Sequence, residues 1–224
     1  MGKCIKKILV FASTVALFVS SNVLISYAQT PIGYIAVDTF EKTMDEMYSQ
    51  YDSSFKVLDN NGVEYISIEH ANEMYQRAVK VFEEKQIANQ AKADNSFNEV
   101  DNRDNLSVSS KGVMPVDYYK QKKFKVECAA GLASANFAHD CRGTVNAQYG
   151  SFMNLTYSGV YRNGTALNYD SFSISNLKKN YALNSTIYRV QFTIAVTFSW
   201  TDPTTGLKLN EVVRENRVDE FNAS

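Results

Sequence analysis

The stretch TIYRVQFTIAVTFSW, residues 186–200, alternates between two sets of side chains. Every second residue is apolar: Tyr188, Val190, Phe192, Ile194, Val196, Phe198 and Trp200. The residues between them are mostly polar. Because successive side chains of a strand point to opposite faces, the pattern predicts a β-strand with one face in the core. Burying the apolar set contributes on the order of 10 kcal/mol before conformational entropy is subtracted.

A membrane-crossing hairpin is the alternative interpretation of this stretch, since about 9–11 residues of strand span a bilayer. A pore hairpin needs two such strands side by side. The segment that follows, LKLNEVVRENRV (residues 207–218), alternates poorly and carries charges on both faces. We therefore expect a core strand.

Further alternating segments surround this strand. They are KKFKVEC (122–128), LASANFAHDC (132–141), GTVNAQY (143–149) and MNLTYSGVYRNGTALNYDSFSIS (153–175). Turn signals at Asn163–Gly164 and at residues 202–206 separate strands. Six or seven strands fit an antiparallel sandwich or barrel over residues 117–224, and we expect a β-sandwich, immunoglobulin-like in size.

The segment before these strands predicts two helices around a hairpin. Apolar residues recur at helical spacing at Phe40, Met44, Met47, Tyr48 and Tyr51, and again at Met74, Tyr75, Ala78, Val79 and Phe82. Asn60–Asn61–Gly62 between them is a strong hairpin signal. A helix–β-hairpin–helix unit over residues 29–93, then a polar linker over 94–116, completes a predicted α+β fold.

The first residues predict export. MGKCIKKILVFASTVALFVSSNVLISYA, residues 1–28, combines a lysine-rich start, an apolar run and small residues at the cleavage site. We expect a signal peptide removed before Gln29, a secreted or extracellular location and no transmembrane anchor after cleavage. An uncleaved membrane anchor is the alternative. The lysine-rich signal favours a bacterial source.

Two cysteines remain after such cleavage, Cys128 and Cys141. Thiols of exported proteins usually pair, so we expect a disulfide between them. A loop of this length adds about 3 kcal/mol to stability. A metal pair is the alternative, but no second histidine or cysteine cluster accompanies them.

One basic, tyrosine-bearing segment is a candidate binding surface for an anionic polymer. Its residues are Tyr118, Tyr119, Lys120, Lys122, Lys123 and Lys125. The solvated face of an edge strand explains the same lysines, because lysines there discourage edge pairing.

No set of residues in the sequence defines a catalytic, cofactor or metal site. His70 and His139 are the only histidines, and we expect His139 to lie on the surface or in a turn. His139, Asp140 and Cys141 are adjacent in a strand and point alternately to opposite faces, so they cannot act together. No G-x-S-x-G motif and no phosphate-binding loop is present. A carboxylate pair distant in sequence stays open.

These observations favour a secreted, non-catalytic binding or structural module at a bacterial cell surface or in the extracellular medium. The expected partner is a cell-surface polymer or another secreted protein, with no nucleic acid. The eight tyrosines between residues 117 and 190 suit exposed binding edges. A secreted inhibitor or toxin-associated factor, including a pore former, is the alternative.

Overall fold

The computed structural model describes residues 31–96, 114–180 and 186–224. These ranges form two helices and nine strands, and every strand pair is antiparallel. The predicted α+β class is confirmed. The predicted signal peptide and most of the predicted linker lie outside the described residues. Neither described helix is long and apolar enough to cross a membrane.

The elements follow one another along the chain with these bounds. The helices are α1 (Val37–Ser49) and α2 (Ile68–Ser96). The strands are β1 (Tyr34–Ala36), β2 (Ser54–Asp59), β3 (Tyr65–Ser67), β4 (Pro115–Glu127), β5 (Ser134–Asn146), β6 (Ser151–Leu167), β7 (Tyr169–Asn180), β8 (Ile187–Thr201) and β9 (Lys208–Asn222). Three sheets result, with strand orders β1-β3, β2-β9-β8-β7 and β4-β5-β6.

The strand predicted from residues 186–200 is β8, between β7 and β9. All seven side chains of its apolar set are buried, from Tyr188 at 1% exposure to Trp200 at 7%. The core-strand prediction is confirmed. The polar set lies on the opposite face of the same strand.

The inner face of the four-stranded sheet is covered by two different layers. Phe40 and Tyr48 of α1 pack on Phe55 of β2, with ring centroids 5.7 and 5.5 Å apart. The three-stranded sheet meets β7 and β8 through aromatic pairs. These pairs are Phe137–Phe172 at 5.1 Å, Phe152–Tyr188 at 6.2 Å and Phe124–Phe192 at 6.4 Å. The buried residues of all these elements form one apolar cluster.

The predicted N-terminal hairpin does not form as a paired hairpin. The turn itself is present, with positive φ at Asn61 and Gly62. However, β2 pairs with β9 and β3 pairs with β1. Pairing with β9 completes the apolar face of the large sheet, where Phe55 is fully buried. The division into domains at residues 94–116 stays a prediction, although β2 joins the C-terminal sheet.

The predicted turn at Asn163–Gly164 is also wrong, because β6 continues through it to Leu167. The ladder with β5 shifts register here, since Phe137 faces Arg162 and Ala135 faces Ala166. Gly164 has φ +87°, which suits the irregularity inside a strand as well as a turn. The chain reverses instead near Asn168.

Candidate functional site

The inner face of the large sheet carries a row of ionisable side chains on β9. Each faces an apolar residue of β8 across the ladder and therefore points to the apolar face. The row consists of Glu211, Glu215, Arg217 and Asp219. Glu211 and Asp219 are buried, and Glu215 and Arg217 are partly buried. Charges withdrawn from water in this way need partners that compensate them.

Ion pairs link most of this row. Lys85 of α2 places its Nζ 2.9 Å from Glu215 Oε1 and donates to the Glu127 carbonyl at 3.0 Å. Arg217 lies 3.8 Å from Glu215 and 4.0 Å from Asp219. Its guanidinium stacks 3.8 Å above the ring of Phe124. The row thus connects a helix, the large sheet and the three-stranded sheet.

Glu211 is fully buried at the start of this row. Its carboxylate accepts hydrogen bonds from the backbone N–H groups of Ala129 and Ala130. Burial raises the pKa of Glu211 to about 7, and the two hydrogen bonds offset only part of that effect. The Tyr48 hydroxyl is buried beside it without a hydrogen bond of standard geometry in the described chain. Burial and the Glu211 charge raise the Tyr48 pKa.

His139 lies at the other end of the row, and the prediction of a surface or turn histidine is wrong. The ring is 1% exposed in the middle of β5. Its Nδ1 is 2.7 Å from Asp219 Oδ2, and its Nε2 is 2.9 Å from Ser158 Oγ of β6. Three strands therefore bring a serine, a histidine and an aspartate into one hydrogen-bonded line.

Asp140 points to the opposite face of β5, where it organises a second polar cluster. One carboxylate oxygen accepts from the Gln121 amide at 3.0 Å and from the Tyr119 and Tyr161 hydroxyls at 3.2 Å. Arg142 lies 3.4 Å from the other oxygen. Burial alone raises the pKa of Asp140, but these hydrogen bonds outweigh it and the pKa is lowered.

The outer face around Asp140 is polar and aromatic. Arg142 lies over the ring of Tyr119, 5.1 Å from its centroid. Tyr119 and Tyr157 are about half exposed, at 54% and 48%. A shallow groove runs beside them, lined by Asp117, Tyr118, Tyr119, Arg142, Gly143 and Thr156.

The six residues of the predicted binding surface divide between the two faces of β4. Tyr118, Lys120 and Lys122 face the large sheet, where Tyr118 is buried. Lys120 donates to the carbonyls of Asn222 and Ser224 at the C-terminus, and Lys122 lies over the Phe221 ring. Tyr119, Lys123 and Lys125 share the outer face, and Lys125 pairs with Glu127. The structure does not bring the six together.

Cys128 and Cys141 are both free and buried, which contradicts the predicted disulfide. Cys141 faces Lys120 across the β4–β5 ladder, whereas Cys128 follows Glu127 at the far end of β4. At roughly 3.3 Å per residue the two lie more than about 20 Å apart. A disulfide needs Cα atoms within about 7 Å.

Alkylation of the purified protein is expected to find the thiols of Cys128 and Cys141 protected. Burial raises the pKa of each thiol to about 12, which cuts the reactive thiolate at neutral pH by roughly 1,000-fold. Iodoacetamide without reductant should therefore modify neither cysteine in native buffer and both in urea. Mass spectrometry reads the result. Modification in urea only after reduction would contradict the free thiols.

The sequence patterns predict neither of the two polar clusters, which are the ionisable row of β9 with His139 and the residues around Asp140. The charges in residues 207–218 break the apolar alternation. However, the ionisable residues of the row occupy the same odd-numbered positions of β9 as the buried Leu209, Val213 and Phe221. They are Glu211, Glu215, Arg217 and Asp219. This shared alternation could have indicated from sequence that the ionisable residues lie on the apolar face of β9. No sequence signal places Ser158 beside His139, because the register of β5 and β6 decides it.

Among the described residues, no group of three or more histidine, cysteine or acidic side chains is placed to hold a metal ion. His70 instead lies 3.0 Å from Asp202. Comparisons with models of protein families, with curated proteins and with solved structures found no match.

Proposed function

We propose that the chain is an exported binding or structural module at a bacterial cell surface or in the extracellular medium. Its ligand is a hydroxylated cell-surface polymer held on the outer face of β4 and β5. The observation that carries the proposal is the cluster of Tyr119, Gln121, Tyr161 and Arg142 around Asp140.

The composition of this face supports a hydroxylated ligand. The side chains that β4 and β5 direct outward over residues 117–125 and 136–144 are tyrosine, amide, charged and hydroxyl groups, with Ala138 as the one aliphatic. Tyrosine offers a flat apolar ring with a hydrogen-bonding tip. Such a surface suits a polymer with many hydroxyl groups better than an apolar protein patch.

The rigidity of the cluster supports binding as well. Asp140 fixes the Tyr119 and Tyr161 hydroxyls and the Gln121 amide before any ligand arrives. A preordered surface loses less side-chain entropy on binding. Its lowered pKa keeps Asp140 charged at neutral pH, so this arrangement holds under physiological conditions.

A polyanion is a poorer ligand than the sequence indicated. Lys120 is occupied by the C-terminal carbonyls and Lys125 by Glu127. Lys123 then stands with Arg142 on the outer face, and Asp140 neutralises much of the Arg142 charge.

We also propose that the three-stranded and four-stranded sheets form the predicted β-sandwich, immunoglobulin-like in size. The aromatic pairs between β4–β6 and β7–β8 support it. In this arrangement the outer face of β4 and β5 is one broad side of the body.

Tyr119→Ala is expected to weaken binding to purified cell-wall polysaccharide by about 10-fold, because truncating an anchoring aromatic costs on the order of 1–2 kcal/mol. Tyr34→Ala is the matched control, since Tyr34 is also about half exposed but lies on β1. That variant should bind within about twofold of the original chain. Isothermal titration or co-sedimentation with the polymer measures the difference.

Two outcomes would contradict the proposal. The first is equal loss, or no loss, in the Tyr119 and Tyr34 variants. The second is retention only by a secreted protein and not by any purified polymer, which would assign the outer face to a protein partner.

A further inference from the structure

We propose that Ser158, His139 and Asp219 form a nucleophile–base–carboxylate line that hydrolyses carboxylic esters. The site lies on the inner side of the strands whose outer face carries the proposed binding surface. The inference goes beyond the proposed binding function and departs from the sequence-based expectation of no catalysis.

The hydrogen-bond directions of the line follow from its chemistry. A carboxylate only accepts, so Nδ1 of His139 carries the proton that is donated to Asp219 Oδ2 over 2.7 Å. In the neutral ring Nε2 then has a lone pair, which accepts the Ser158 hydroxyl over 2.9 Å. This is the tautomer that a general base for serine requires.

The surroundings hold the base rigidly and leave the serine at the border with solvent. The rings of Phe192 and Phe221 meet the imidazole edge-on, with centroids 5.5 and 5.0 Å away. Asp219 is nearly fully buried, and Arg217 lies 4.0 Å from its other oxygen. Ser158 is only partly buried. Ser158 thus borders the solvent, while the imidazole and the Asp219 carboxylate are buried.

An oxyanion can be stabilised beside Ser158 by the edge of the sheet. β6 is the last strand of the order β4-β5-β6, and among the described residues no strand pairs with its other side. Backbone N–H groups along this free edge of β6 therefore lack a ladder partner in the described chain. Backbone N–H groups are common donors to a developing oxyanion.

The reaction balances with water as the second reactant. Ser158 Oγ bonds to the ester carbonyl carbon while its proton moves to His139 Nε2. The ester C–O bond then breaks, and Nε2 returns the proton to the departing alkoxide, which leaves as the alcohol. Water next attacks the acyl-serine by the same proton transfers, which releases the carboxylic acid and restores Ser158. Asp219 is a positioning residue.

The test uses the secreted chain with a fluorophosphonate probe and with p-nitrophenyl acetate. We expect covalent labelling at Ser158 and turnover of the ester. Ser158→Ala should lower both by about 1,000-fold or more. Ser173→Ala, an exposed strand serine on β7, is the matched control and should leave both rates unchanged.

A second pair of variants separates chemistry from folding. Asp219→Asn should lower kcat by about 100-fold or more while KM stays within about threefold, because the wrong tautomer of the base is favoured. His139→Gln should abolish labelling, with circular dichroism confirming the fold. The absence of labelling and turnover in the folded original chain, or equal labelling of Ser158→Ala, would overturn the proposal. Loss of polymer binding alone would contradict the proposed binding function but would not overturn the proposed ester hydrolysis.

Discussion

Glu211→Gln is expected to abolish a loss of stability of about 2–3 kcal/mol that the original chain undergoes between pH 5 and pH 8. The carboxyl is fully buried, and its pKa is raised from 4.5 to about 7. Glutamine has a similar size and no charge, so the pH dependence due to this side chain disappears. Its amide NH2 cannot accept a hydrogen bond, so one of the N–H groups of Ala129 and Ala130 loses its acceptor, which costs about 1–3 kcal/mol at every pH.

The sign follows from proton linkage. Above pH 4.5 the unfolded chain releases the Glu211 proton, while the folded chain keeps it until about pH 7. Folding is therefore favoured at low pH, and this contribution is lost as the pH rises through that window. Urea unfolding at a series of pH values, followed by circular dichroism, measures the free energy of unfolding for both chains.

Glu215→Gln is the matched control for Glu211→Gln. The side chain lies on the same strand and face but is paired with Lys85 at 2.9 Å. Its substitution removes an ion pair and should destabilise the protein without flattening the pH dependence. If Glu211→Gln leaves the pH dependence of the original chain intact, Glu211 is not buried as described.

Phe192→Ala is expected to lower the free energy of unfolding by about 3–5 kcal/mol, since it opens a cavity in a packed interior. The ring is 1% exposed and contacts both Phe124 and His139 of the facing sheet. A loss of this size is a large fraction of the stability of a typical domain. Denaturant unfolding of the folded variant reads it directly.

Gln191→Ala serves as the control on the opposite face of β8. Gln191 is exposed, so its truncation should change the free energy of unfolding by less than about 0.5 kcal/mol. Similar losses in the Phe192 and Gln191 variants would contradict the alternation that underlies the fold.

The sequence predicts the positions of helices and strands better than it predicts which strands pair. Period-2 alternation identifies β8, and the helical spacing of Phe40, Met44 and Tyr48 identifies α1, because each pattern is local. The pairing of β2 with β9 joins residues about 150 positions apart. No local signal encodes that choice, which depends on which apolar face is left uncovered.

The hydrogen-bonded line of serine, histidine and aspartate could not be predicted from the sequence for a related reason. Ser158, His139 and Asp219 come from three strands, and they meet only through the register of β5 with β6 and the packing of the two sheets. The disulfide prediction is wrong for a similar reason. It rested on the expected export and on the number of cysteines, neither of which depends on strand register. In the structure Cys141 faces Lys120 of β4, which lies eight positions before Cys128. The alternation along β9 is present in the sequence, because its ionisable and apolar residues occupy every second position and so lie on one face.

Native-state hydrogen exchange of residues 187–201 tests the central claim most directly, namely that β8 is the buried centre of a folded β-rich protein. The account predicts that amides from Val190 to Val196 exchange only through global unfolding, with protection equal to the global free energy of unfolding. Exchange of these amides at the rate of exposed loops, in a chain that is otherwise folded, would contradict it.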